Sequence, residues 1–75
     1  MKTVIPNQIY RHYKGNEYRV LHLAKHTETM EDMVVYAPTS GEAYVWARPL
    51  SMWHETVTVE GREMPRFALI KDAKD

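Results

Sequence analysis

The sequence predicts an all-β fold, a small antiparallel barrel of five or six short strands with one 3₁₀ turn. Two observations lead there. Pro6, Gly15, Pro38, Gly41, Pro49, Gly61 and Pro65 cut the chain into short segments, as turns do in an all-β domain. No segment keeps a helical period over three turns. Closure into a barrel follows because so small a sheet cannot otherwise protect its edges.

The elements are read in order. Segments 9–13 (IYRHY) and 17–24 (EYRVLHLA) flank KGNE, a tight turn in which Gly15 supplies positive φ. DMVVYA, 32–37, is rich in β-branched residues, and PTSGE turns the chain into AYVWAR, 43–48, which Pro49 stops. RPLSMW then reads as one 3₁₀ turn over 50–53. ETVTV, 55–59, and EMPRFALI, 63–70, flank EGR, a hairpin centred on Gly61. The domain runs over the whole chain, with its core at about 9–70 and a charged, fraying tail at 71–75.

The chain has 75 residues, with Lys+Arg 10, Asp+Glu 10 and no cysteine. A domain of this size buries only about 60% of the surface its unfolded chain exposes. Disulfides, thiolate zinc sites and a cysteine nucleophile are excluded. Zero formal net charge argues against a dedicated nucleic-acid binder, which draws affinity from a basic excess. No apolar run is long enough to span a bilayer or to serve as a signal peptide, so the expected location is cytoplasmic with no membrane partner.

Strand alternation assigns faces. Val57 and Val59 share one side and Thr56 and Thr58 the other; Phe67 and Ile70 are core candidates, and Trp53 plugs one end of the barrel. In AYVWAR, Tyr44, Trp46 and Arg48 oppose Ala43, Val45 and Ala47. Two readings stay open, and in the first the aromatic pair fills a core otherwise short of large side chains. The alternative makes it an exposed strip for planar ligands.

Taken together, YRHYKGNEYRVLHLAKHTETMEDMVVY, VWARPLSMW and GREMPRF resemble a family of short bacterial proteins, domain of unknown function 1653. The resemblance runs from about Tyr10 to Ile70, through Y-x-H-Y-K-G, H-x-E-T-x-E-x-x-V-V-Y, W-x-R-P-L-x-M and P-R-F motifs. It implies a Src-homology-3-like barrel without an established activity. The chain departs from the family at Trp53, where phenylalanine is common, and at Ala47, where a larger residue is; both are changes of packing volume. Such barrels host many unrelated roles, so function does not follow from the fold.

The densest chemistry is AKHTETMEDMVVY, 24–36, with His26, Glu28, Glu31 and Asp32 together. Metal binding needs three or four converging ligands, and this spacing matches no zinc or calcium motif even if His12 or His22 adds a nitrogen. A His26–Glu28 pair has the composition of an acid–base couple, but no nucleophile motif or phosphate cradle accompanies it. The structural reading is a tight corner whose Thr27, Glu28, Thr29 and Glu31 satisfy backbone N–H groups. Arg48 and Arg66, each beside a proline and an aromatic, are candidates to hold a carboxylate or an anionic ligand.

The leading expectation is therefore a non-catalytic binding or interaction module, monomeric or weakly dimeric, without metal or cofactor. Its surface is assigned to Tyr13, Lys14, His26, Glu28, Tyr36, Trp46 and Arg48, and its ligand to a peptide, a nucleotide-like molecule or nucleic acid. A small enzyme using His26 and Glu28 is the second reading, and a purely structural or assembly subunit the third.

Overall fold

The computed structural model describes residues 4–41 and 44–73, and the fold is all-β. Its strands are β1 (Ile9–His12), β2 (Glu17–Lys25), β3 (Asp32–Pro38), β4 (Trp46–Pro49), β5 (Thr56–Val59), β6 (Arg62–Pro65) and β7 (Phe67–Lys71). The expected helical turn is present between β4 and β5 as α1 (Leu50–Trp53), α-helical rather than 3₁₀. Antiparallel pairing builds a five-stranded sheet in the order β4-β3-β2-β1-β7, while β5 and β6 form a separate hairpin. Among the described residues no pairing joins β4 to β7, so the ladder has two edges and no closing seam.

The β5–β6 turn follows from its residues. Val59 pairs with Arg62, and the two residues between them, Glu60 and Gly61, have φ of 52° and 79°. Two positive φ values make a type I′ turn, whose twist matches that of the flanking strands.

Elsewhere tertiary pairing overrides the local pattern. The single strand expected at 63–70 breaks at Arg66, whose N–H bonds the Glu55 carbonyl (2.8 Å) while its own carbonyl accepts from Tyr13 N (2.9 Å). Pro65 brings no N–H to the ladder, and the chain changes sheets there. In β2 the register slips between Val20 and His22, so Leu21 is bulged out and Val20 and Leu23 reach the same face three residues apart. In β7 the partners of Ile9 and Tyr10 are Lys71 and Leu69, which bulges Ile70. This corrects the expected core: Phe67 is buried, but Ile70 is 44% exposed.

The core is Val4, Tyr10, Val20, Val34, Tyr36, Trp53 and Phe67, with Tyr18, Leu50 and Leu69 packed against it. Few aliphatics are present, and rings do the filling. Trp53 stacks on Phe67 at 3.9 Å and meets Tyr10 and Tyr36 edge-on at 5.2 and 5.0 Å, geometries that add about 0.5–1.5 kcal/mol per pair beyond area burial. Trp53 is fully buried, as expected, though within an open sheet rather than at the end of a closed barrel. Val57 is half-buried and Val59 exposed, because their hairpin pairs with no strand of the larger sheet.

Both termini reach further into the structure than the 9–70 core anticipates. Val4 is buried, and so is Gln8. The Gln8 amide oxygen accepts from Ile5 N and the Tyr10 hydroxyl, each at 2.9 Å, and its Nε2 donates to Asp72. One side chain thus ties residues before β1 to the expected tail. Burial holds the Tyr10 phenol above its ordinary pKa, the Trp53 indole partly countering it.

Candidate functional site

The β-ladder sets which side chains share a face. Tyr10 lies opposite Tyr18, Val20 opposite Tyr36, Val34 opposite Arg48, Tyr36 opposite Trp46 and His12 opposite Phe67. Directly opposed residues point the same way, so His12, Tyr18, Tyr36, Trp46, Arg48 and Phe67 all belong to the inner face. The core fills only part of it. Toward the β1–β2 turn and the start of β4 the face opens, leaving Trp46 49% exposed and Tyr44, just before the strand, 70% exposed.

Of the two readings of Tyr44 and Trp46, the exposed one holds. The face is the core face, but β4 is an edge strand with no neighbour to cover it. The two rings stand in solvent at 6.0 Å and 48° to each other. Ala43 lies outside the described residues. Tyr36, placed on the binding surface by the sequence, is instead a core residue.

Behind the exposed rings lies a cluster of cations and aromatics. The Arg48 guanidinium carbon sits 5.5 Å from the Phe67 ring centre, and its Nε donates to the Tyr36 hydroxyl at 3.4 Å. His12 packs edge-on against Phe67 at 5.0 Å and Tyr18 at 6.4 Å, and its ring centre is 4.5 Å from that of Tyr13. Desolvation lowers the His12 pKa, and the charges of Arg48, Arg66 and Lys14 lower it further. Lys14 N donates to His12 Nδ1 at 3.2 Å, so a neutral ring carries its proton on Nε2. Arg66 pairs with Glu55 at 3.3 Å, while its Nε is buried without an acceptor. Arg48 has no carboxylate partner among the described residues. Three cations thus surround one neutral imidazole, balanced by a single carboxylate.

His26 and Glu28 are elsewhere. They occupy the β2–β3 turn, whereas Tyr13 and Lys14 occupy the β1–β2 turn, at the other end of β2. Eight residue steps of about 3.3 Å separate those ends by roughly 26 Å. The seven residues assigned to one surface therefore fall at two ends of the sheet, with Tyr36 in the core. In the far turn His26 N donates to the Glu31 carbonyl, and Met30 N to the His26 carbonyl. The His26 Nδ1 accepts from Glu28 N and Thr29 N at 3.1 and 3.3 Å, and Thr29 Oγ1 accepts from Glu31 N. The corner serves its backbone as expected, but through His26 and Thr29. Among the described residues the Glu28 carboxylate accepts only from the Thr27 hydroxyl, at 3.0 Å, and no hydrogen bond joins that carboxylate to the His26 ring.

A cleft of about 450 Å³ is also at this far end, lined by Met30, Glu31, Asp32, Leu50, Ser51 and His54. The surface it presents is mainly apolar. Among the described residues no group of three His, Asp or Glu side chains could hold a metal, and no helix is long and apolar enough to cross a membrane. Two residues of the cluster of cations and aromatics carry other expectations from the sequence, His12 that of an added nitrogen for a metal and Arg66 that of a partner for a carboxylate or an anionic ligand. The period-2 relation of His12 to Tyr10 is the signal available for the first of them.

Residues 8–69 match the family described as protein of unknown function (DUF1653). A crystal structure of a DUF1653 protein from Bordetella bronchiseptica is similar, with 38% identity and a TM-score of 0.80. The match covers 100% of this chain and 97% of that one. A search of curated proteins found no match.

Proposed function

The chain belongs to the DUF1653 family, whose description assigns no activity, and we propose from its side chains that it is a non-catalytic binding module for an anionic ligand. The carrying observation is the unbalanced positive charge of Lys14, Arg48 and Arg66 around His12, beside the exposed Tyr44–Trp46 pair. A guanidinium already oriented by a ring and a hydroxyl loses little freedom on meeting an anion. Flanking aromatic faces add contact area at low entropic cost. Binding without catalysis is the better reading because no general base stands beside a nucleophile here, and the His26 Nδ1 that a second, enzymatic reading would use is committed to two backbone N–H groups.

The test is an amide and side-chain shift titration with inorganic pyrophosphate. Peaks of Lys14, Arg48, Arg66 and His12 are expected to move while those of 26–31 stay still. Saturable shifts confined to 26–31 would move the site to the other end of the sheet. No shift anywhere at millimolar pyrophosphate would favour a structural or assembly role.

A further inference from the structure

Resting on that reading, we infer that the ligand is a nucleotide unit, a planar base joined through a sugar to phosphate, with the base on Trp46 and Tyr44 and the phosphate on Arg48. Trp46 and Arg48 are two residues apart on one strand and share its inner face. That sets their backbone positions about 6.6 Å apart along the strand, a separation comparable to the width of the sugar between a base and its phosphate. The exposed rings of Tyr44 and Trp46 supply the sequence-tolerant stacking that bases use. Arg48, with no carboxylate partner among the described residues, supplies a donor fork for phosphate. Lys14 and the Arg66 charge lie behind it, around His12.

The balance of 10 basic and 10 acidic residues sets the scale: long-strand binders neutralise many phosphates, and this face offers a few cations, enough for one or two units. An acidic peptide would satisfy Arg48 but leave the indole and phenol faces unused.

The experiment titrates the intact chain with AMP, ribose 5-phosphate, adenosine, a six-nucleotide oligo(rA) and a hexapeptide of aspartate. AMP is expected to bind at least about fivefold more tightly than ribose 5-phosphate and to shift the Trp46 indole but not that of Trp53. Trp46→Ala, at an exposed position that folding tolerates, should cost AMP about tenfold and leave ribose 5-phosphate unchanged. Arg48→Gln should weaken both, and adenosine should bind least. AMP tighter than or equal to oligo(rA) identifies a free nucleotide, and a tighter oligonucleotide identifies a short strand; both support the inference. Equal binding of AMP and ribose 5-phosphate would overturn it while leaving the anion reading intact. Preference for the aspartate peptide would do the same. Silence from every probe would remove the anion reading itself.

Discussion

His12 and His26 make the same local contact at opposite ends of one sheet. Each accepts, through Nδ1, the N–H of the residue two positions on, at 3.2 and 3.1 Å. Their surroundings differ in every other respect. His12 packs on Phe67, Tyr13 and Tyr18 under the charges of three cations, whereas His26 folds into a turn whose carboxylates face solvent. The end richer in polar residues along the sequence is the poorer in convergent chemistry. Local density of His, Glu and Asp makes a corner; a shared face drawn from five strands brings distant side chains together.

The largest effect expected from that contrast is on stability. Phe67→Ala removes the ring touched by His12, Tyr18, Tyr36, Arg48 and Trp53 and should cost about 3–5 kcal/mol, most of what a domain this small has. At the other end, His26→Ala deprives two backbone N–H groups of their acceptor and should cost about 1 kcal/mol. Glu28→Ala should stay within about 0.5 kcal/mol, because its carboxylate meets only a neighbouring hydroxyl. Urea melts of the three variants check the order, and a Glu28→Ala loss equal to that of His26→Ala would erase the distinction drawn between the two side chains.

A smaller effect should appear with pH. The folded His12 pKa lies below its ordinary value, through burial first and then Arg48, Arg66 and Lys14. The folded state therefore binds fewer protons than the unfolded one. Stability from this group is fully present above the unfolded value of about 6.5 and declines as pH falls below it toward the folded pKa. Melting temperatures between pH 8 and 5 should show that decline, and His12→Gln should flatten it. Binding of a phosphate-bearing ligand should raise the His12 pKa, measurable by carbon-detected titration of the ring.

The smallest expected effect lies away from both ends, and it calibrates them. Glu60 holds φ of 52° without being glycine, and Glu60→Asn should stabilise the hairpin by about 0.5 kcal/mol, since asparagine suits the first position of a type I′ turn. A thermal melt reads it directly. No change would mean that the separate β5–β6 hairpin opens before the sheet does.

Much of this fold was legible along the chain. Turn residues act within four positions, so the places of KGNE, PTSGE and EGR, and of the strands between them, follow from local backbone preferences alone. The helical turn at 50–53 and the burial of Trp53 were readable for the same reason. Three things were not. The bulges at Leu21 and Ile70 invert strand parity partway, and a period-2 pattern carries no mark of where that happens. The break at Arg66 exists because its N–H and carbonyl find partners far apart in the chain, at Glu55 just before β5 and Tyr13 just after β1. The candidate site was half visible: Trp46, Arg48, Tyr13 and Lys14 were named, while His26 and Glu28 were drawn in by their density and Tyr36 was taken for surface.

The sequence by itself determined where the chain extends and turns, because those preferences are settled between near neighbours. Only the tertiary structure decided which face each strand presents and which ends meet. Register, edge position and sheet order arise from hydrogen bonds between residues far apart in the chain. Through them Tyr44 and Trp46 lie on the core's face yet outside the core, and Arg48 sits against Phe67.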